Sequence, residues 1–246
     1  IKGREEFHQS QAGGLHFSNV LKLAAQKKMM LNVHESIKGT GLERTYPNLL
    51  CTEGAKGQEY EGGGLNSKHA VILPFTRMLA GGFDFTPGIF DLNNPAKKVY
   101  STLARQLAYY VVFHSGMQML ADRPESYEKN RDALSFIQKV PVNFEIEVPL
   151  LGKIGEYYAV ARRGRGETDW YIGGIVDDMA RTMKIKLSFL EKDVKYNAFI
   201  FRDGDIADFR TNPTDLKIER LVVDAEDELE IPVVGMGGFA VRLMKV

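Results

Sequence analysis

The spacing of apolar positions along this chain changes twice. From Phe17 to Lys28, in FSNVLKLAAQKK, the residues Phe17, Val20, Leu21, Ala24 and Ala25 recur at helical intervals, and a lysine pair near the C-terminus suits the helix dipole. The pattern predicts an amphipathic helix. MMLNV follows directly as an apolar run of strand length, and polar residues begin at His34, where it ends. A helix, a buried strand and then a polar loop is the order found in a parallel sheet or a β/α barrel. Further on, Asn94 reads as an N-cap and Pro95 as the first residue of a long, largely buried helix that runs to Leu120. His114 falls among Val112, Phe113 and Met117 on that helix and reads as a packed core histidine.

After Pro141 the period shortens. EYYAVARR, DWYIGGIV, KIKLSFL, YNAFIFRDG, KIERLVV, DELEIPV and FAVRLMKV are strand-like runs separated by turns with glycine, Asp or Asn. They predict an antiparallel β-sandwich. The boundary is placed between Pro149 and Gly155, so residues 1–150 form an α/β part and residues 151–246 an all-β part. No repeat, low-complexity tract or flexible linker separates them.

Composition narrows the function classes. The chain has 246 residues, 44% of them hydrophobic and 26% charged, which suits a folded domain with a substantial core. Lys plus Arg and Asp plus Glu both number 32, so there is no net positive field to hold a nucleic acid or an anionic membrane. The longest apolar runs, such as Leu107 to Phe113, fall well short of the roughly 20 residues needed to span a bilayer. Cys51 stands alone, so no internal disulfide forms, and it reads as a small buried side chain. The opening IKGREEFHQSQ has no apolar segment of the signal-peptide kind and reads like a strand end entering a loop, as though the chain began inside a domain.

The candidate chemistry lies in HESIKGTGLERTYPNLLCTEGAKGQEY, residues 34–60. Glu35 stands just past the apolar strand, where a barrel presents its catalytic groups, and Glu53 and Glu59 follow in a loop that Gly54 and Gly57 allow to turn tightly. Carboxylates gathered in a cleft repel one another unless a cation neutralises them. Two chemistries use such a cluster: a hard, oxygen-liganded metal such as calcium, and paired acid and base carboxylates for glycosidic cleavage. A solvated acidic loop is the plain alternative.

HESIKGTGLERTYPN, TEGAKGQEY and LPFTRMLAGGFDFTPGIF resemble the second half of the barrel of glycoside hydrolase family 97, whose members are α-glucosidases and α-galactosidases. The likeness continues through LAYYVVFHSGMQMLADRPESY, IGEYYAVARRGRGETDWYIGGI and YNAFIFRDG to the C-terminus. It implies the C-terminal portion of a catalytic (β/α)8 barrel over residues 1–150, with a β-sandwich after it. It implies that Glu59 is the general acid, that Glu35 is part of the base that activates water, and that His34 contacts substrate. It implies a calcium ion held by Glu35, Glu53 and Glu59.

Retaining members have glycine after the histidine and an aspartate nucleophile upstream. This chain has Glu35 and, at the aligned upstream position, Arg4, which favours an inverting α-glucosidase; a retaining α-galactosidase and a non-catalytic sugar-binding fragment are the alternatives. Glu5 and Glu6 read as solvated loop charge. Gly39-Thr40-Gly41 replaces the family's usual Pro-Thr-Gly and predicts a more mobile loop. The family's N-terminal sandwich and first barrel strands have no counterpart here, so the expected partners are an oligosaccharide and the missing N-terminal half of the same enzyme. Family habit places it in the periplasm or outside the cell. Arg44 and Tyr46 read as loop anchors and His69 as a loop histidine satisfied by backbone. Asp84 reads as a structural turn, with sugar binding as the alternative, and Trp170 as sandwich packing.

Overall fold

The computed structural model describes residue 7 and residues 9–60, 66–94 and 98–246. Arg4, Glu5, Glu6 and Pro95 lie outside the described residues. The helices are α1 (Gln11–Gln26), α2 (Leu42–Thr45), α3 (His69–Ile72), α4 (Leu103–Val112), α5 (Pro124–Lys129) and α6 (Arg131–Ile137). The strands are β1 (Leu31–Val33), β2 (Leu49–Thr52), β3 (Phe144–Lys153), β4 (Tyr157–Gly164), β5 (Trp170–Val176), β6 (Arg181–Lys186), β7 (Tyr196–Asp203), β8 (Leu216–Val223), β9 (Glu228–Val233) and β10 (Gly238–Lys245).

The predicted first helix is present and starts earlier, because the Ser10 hydroxyl accepts from Gly13 N at 3.2 Å and caps it. It buries Leu21 and Ala24 but leaves Leu15, Val20 and Leu23 exposed. β1 and β2 pair in parallel, Leu31 opposite Leu49 and Val33 opposite Thr52, and Thr52 makes a further parallel bridge to Phe83. Those segments are the parallel part of the described residues.

The antiparallel sandwich is as expected. A six-stranded sheet in the order β3-β4-β5-β10-β7-β8 faces a two-stranded sheet of β6 and β9. Between them lies a core that includes Trp170, Ile172, Met183, Ile231, Phe239 and Val241. Trp170 packs edge-to-face on Phe189 at 4.9 Å, in keeping with the packing role read from sequence. The other face of the large sheet is covered by α4, and the core there includes Leu107, Val111, Phe113, Tyr171 and Phe201. β3 spans residues 144–153, so a division at 150/151 falls within a strand. The alternation in FEIEVPL already belongs to the sheet.

Gly173 and Gly174 explain how the double cover is possible. A Cβ on Gly173 would stand 2.8 Å from the Ala108 carbonyl oxygen of α4, and one on Gly174 would collide with the Phe239 ring in the opposite core. The missing side chains let helix and ring approach the two faces of β5.

The long helix expected from Asn94 and Pro95 to Leu120 is corrected to the span Leu103–Val112. Its N-cap is Thr102, whose Oγ1 accepts from Arg105 N at 3.2 Å, while Asn94 sits in a turn. The helix stops because the chain must pass beneath β2: a Cβ on Gly116 would be 2.9 Å from the Leu50 carbonyl oxygen. His114 is therefore in the exit loop rather than on the helix, and its carbonyl accepts from Phe83 N at 2.9 Å. Burial, reinforced by the Arg162 charge, holds its imidazole below the ordinary histidine range. Among the described residues no helix is long and apolar enough to cross a membrane.

Candidate functional site

The C-terminal ends of three parallel segments meet at one place. Glu53 N donates to the Val33 carbonyl at 2.9 Å, and Asp84 N donates to the Thr52 carbonyl at 3.0 Å. His34 after β1, Glu53 after β2 and Asp84 after Phe83 are thereby set side by side. The His34 Nε2 is 2.7 Å from Asp84 Oδ2, and its Nδ1 is 3.8 Å from Glu53 Oε2.

Asp84 is the fixed point of the group. It is 1% exposed, and its Oδ2 also accepts from the Asn32 amide. Its Oδ1 accepts from Thr86 N at 2.8 Å and from Thr86 Oγ1 at 3.2 Å. A buried carboxylate with that many donors is held in one orientation. It presents a single oxygen to His34. Burial alone would pull the His34 pKa down, but the Asp84 hydrogen bond and the charges of Glu53, Asp84 and Glu59 outweigh it and raise the pKa above the ordinary histidine value.

Glu35 is exposed and has φ of 44°, an uncommon left-handed backbone for a residue that is not glycine. That turn directs its N–H to Glu53 Oε2 at 3.3 Å. The Glu53 backbone is held by Arg77, whose guanidinium donates to the carbonyls of Glu53 and Thr52 at 2.9 Å each and to Thr52 Oγ1 at 2.8 Å. It also reaches the carbonyls of Gly82 and Gly81. Gly54, at φ of 64°, leaves room for this clamp, since a Cβ there would be 3.1 Å from Arg77 Nε.

Glu59 is displayed by the buried residue before it. Gln58 Nε2 donates to Gln106 Oε1 at 2.7 Å and Gln58 N to the Phe85 carbonyl at 2.8 Å, which fastens the 3-10 turn Gln58–Tyr60 to α4. Gly57 fits because a Cβ would stand 3.1 Å from the Phe85 carbonyl oxygen. Glu59 itself is exposed, and its charge reaches His34.

The structure thus brings together His34, Glu35 and Glu53, with Glu59 near enough to act on His34 electrostatically. Asp84 joins this group rather than serving only as a turn. Arg77, Asn32 and Gln106 are supporting residues that the sequence pattern did not reveal; the buried acid in GGFDF was the one available signal for Asp84. His69 opens α3 rather than lying in a loop, its ring is satisfied by the Lys56 carbonyl at 2.9 Å, a backbone partner as read from sequence, and Arg44 is exposed. The carboxylates suit calcium in donor type. Among the described residues, however, no group of three or more His, Cys, Asp and Glu side chains comes close enough together to hold a metal ion, so Glu35, Glu53 and Glu59 do not by themselves form that site.

Comparison with known proteins gives the family of the chain. Residues 6–55 match the family model for glycoside hydrolase 97, and residues 144–244 match the model described as "Glycosyl-hydrolase 97 C-terminal, oligomerisation". A curated relative from Bacteroides thetaiotaomicron named "Retaining alpha-galactosidase" is 36% identical over 236 residues, covering 90% of this chain and 35% of the relative. A second, from Streptomyces bingchenggensis, is 32% identical over 224 residues, covering 91% of this chain and 33% of that protein. The chain therefore spans about a third of the curated relatives it matches. Among solved structures, a family 97 glycoside hydrolase of Pseudoalteromonas sp. strain K8 in complex with acarbose is 42% identical with a TM-score of 0.93, over 99% of this chain and 39% of that one. A point variant of a family 97 enzyme from the same strain, in complex with panose, gives 41% and 0.92 over the same shares. Matched at both ends by models of one family and along nearly its whole length by its members, the chain belongs to glycoside hydrolase family 97.

Proposed function

We propose that this chain is the C-terminal portion of an exo-α-glycosidase, with residues before the sandwich forming part of a (β/α)8 barrel that the further length of its relatives completes. The observation that supports this most is the convergence of His34, Glu53 and Asp84 at the C-terminal ends of adjacent parallel segments, the end at which barrels carry their chemistry. Exposed Glu35 and Glu59 border that point.

In this reading Glu59 protonates the departing glycosidic oxygen and Glu35, with a further carboxylate from outside this chain, takes a proton from the attacking water. His34, held by Asp84 and biased toward its charged form, donates to a sugar hydroxyl. Glu35, Glu53 and Glu59 would share in holding calcium together with donors from outside this chain; when bound, the ion would supply positive charge to the sugar site. The oligomerisation named in the description of the C-terminal model is proposed for the sandwich. A periplasmic or extracellular location belongs to the same reading.

The stereochemistry is proposed as inverting and the sugar as glucose. Glu35, a carboxylate beside the histidine, is the ground for the stereochemistry, and the panose and acarbose complexes of relatives at 41% and 42% identity support the sugar alone. The second reading, a retaining α-galactosidase, is favoured by the name of the curated relative at 36% identity. The anomer released first, followed by NMR on the complete enzyme, separates them: β-glucose from panose supports the first reading and α-galactose from an α-galactoside the second. In the same enzyme Glu59→Gln is expected to lower turnover of unactivated α-glycosides by about a hundredfold or more, the range of lost general-acid catalysis. Unchanged turnover in that variant overturns the role of Glu59.

A further inference from the structure

Two loops of the candidate site converge on one buried oxygen. Gln106, one turn into α4, is fully buried, and its Oε1 accepts from Gln58 Nε2 at 2.7 Å, from Gly88 N at 3.0 Å and from Ile89 N at 3.1 Å. Its Nε2 donates to Ser101 Oγ at 2.9 Å, so both ends of the amide are committed and its orientation is fixed. Gln58 stands directly before Glu59, and its backbone is tied at a second point, Gln58 N to the Phe85 carbonyl at 2.8 Å. With main chain and side chain of one residue both anchored, the direction in which Glu59 leaves the turn follows from the place of Gln106. Gly88 and Ile89 come shortly after Asp84, the carboxylate that holds His34. Gly88 has φ of 95°, and a Cβ there would collide with the Tyr110 hydroxyl, so this loop too is moulded on α4.

The sandwich in turn holds α4 on either side of Gln106. A Cβ on Gly238 of β10 would stand 2.8 Å from Arg105 Cα, and one on Gly173 of β5 would stand 2.8 Å from the Ala108 carbonyl oxygen. Backbones packed this closely leave the helix little freedom to slide on the sheet. The sandwich thus places the Gln106 oxygen, and the oxygen places both loops.

We propose that Gln106 is a positioning residue for glycosidic cleavage: through Gln58 it sets the Glu59 carboxyl at the offset from the His34–Asp84 pair that lets it protonate the departing oxygen. This rests on the reading of Glu59 as the general acid, and it gives the sandwich a part in the chemistry as the platform of that acid. A general acid works only within hydrogen-bond reach of the oxygen it protonates, while in the same reading the sugar is held at His34. The offset between the two groups therefore governs proton transfer, and Gln106 bonds to the segments that carry both.

The test uses the complete enzyme and aryl α-glycosides of the sugar that wild type hydrolyses, with phenols of graded acidity. An acidic phenol leaves without a proton and a weakly acidic one needs it, so a displaced Glu59 steepens the dependence of kcat/KM on phenol acidity. Gln58→Met keeps the side-chain length and removes the donor, while the Gln106 oxygen retains its two backbone partners, so no polar group is stranded. It is expected to slow the least acidic phenols about tenfold to a hundredfold relative to the most acidic. Gln106→Leu is expected to act in the same direction, and the double variant to be no worse than Gln106→Leu alone, because both changes cut one bond. Equal loss across the phenols, the signature of a merely structural role, overturns the proposal, and so does an unchanged Gln58→Met. Glu59→Gln separates the two readings: if it shows no dependence on phenol acidity, the general-acid reading falls and this proposal with it. A steep dependence in Glu59→Gln beside a flat one in Gln58→Met rejects the positioning role alone.

Discussion

At the scale of single residues, His34 and Asp84 are the most informative pair. Fifty positions apart in the sequence, they meet at 2.7 Å because the ends of β1 and the Phe83 segment are both tied to the β2 end. Replacing Asp84 by Asn removes the negative charge and keeps the shape. The His34 pKa is then expected to fall, because burial still lowers it and the first of the opposing contributions is gone. Imidazole NMR titration reads this directly, and an unmoved His34 pKa would show that Asp84 does not control it. The sign for stability follows from the raised folded value: the pairing stabilises fully below the unfolded histidine pKa and fades as pH rises through the folded one. His34 and Glu35 were legible in the sequence as residues just past an apolar strand, and Glu53 and Glu59 as a glycine-containing acidic loop, all with family-like neighbours. Asp84 was legible as a turn residue with sugar binding as the alternative, but its pairing with His34 was not, since no local pattern names a partner fifty residues away.

At the scale of elements, the contact between α4 and the large sheet decides most of the architecture. Gly173→Ala places a Cβ 2.8 Å from both the Ala108 carbonyl oxygen and Val111 Cβ, so the helix must lift off β5. A loss of about 1–3 kcal/mol in unfolding free energy is expected, measured by denaturant melts of the chain. Asp203, buried where the start of α4 meets β7 and β10, gives a second prediction. Its Oδ2 accepts from Val234 N and Gly238 N, its Oδ1 has no partner, and burial pushes its pKa up to about 7. The folded state therefore holds that proton more tightly than the unfolded chain. Stability from this group is present below about pH 4 and is lost as pH rises toward 7, an effect on the order of a few kcal/mol. Asp203→Asn is expected to flatten that slope in melting curves recorded between pH 4 and 8. The sandwich strands were legible from alternation and turn residues. The length of α4 was not, because its cap at Thr102 and its exit at Gly116 answer to contacts with distant carbonyls and not to helical periodicity.

At the scale of the whole molecule, the proposed calcium site draws on donors from outside this chain. With no group of three metal-binding side chains among the described residues, calcium is expected to bind weakly to the 246-residue chain and tightly to the complete enzyme. Calorimetric titration of both checks this, and Glu53→Gln in the complete enzyme should weaken the tight phase. Equal affinity in the two would mean that these glutamates assemble a site unaided.

The sequence by itself determined the class of the second part, the family and the strand-end position of Glu35. Those depend on local periodicity, on turn chemistry and on residue identities that survive in a linear string. Only the tertiary structure decided which acid orients His34, that Arg77 and Gln58 hold the loops of Glu53 and Glu59, where α4 begins and ends, and the order of strands in the large sheet. Each of these is a relation between residues far apart in the chain, fixed by close approach and by the need of buried polar groups for partners, and neither condition is written in any one stretch of sequence.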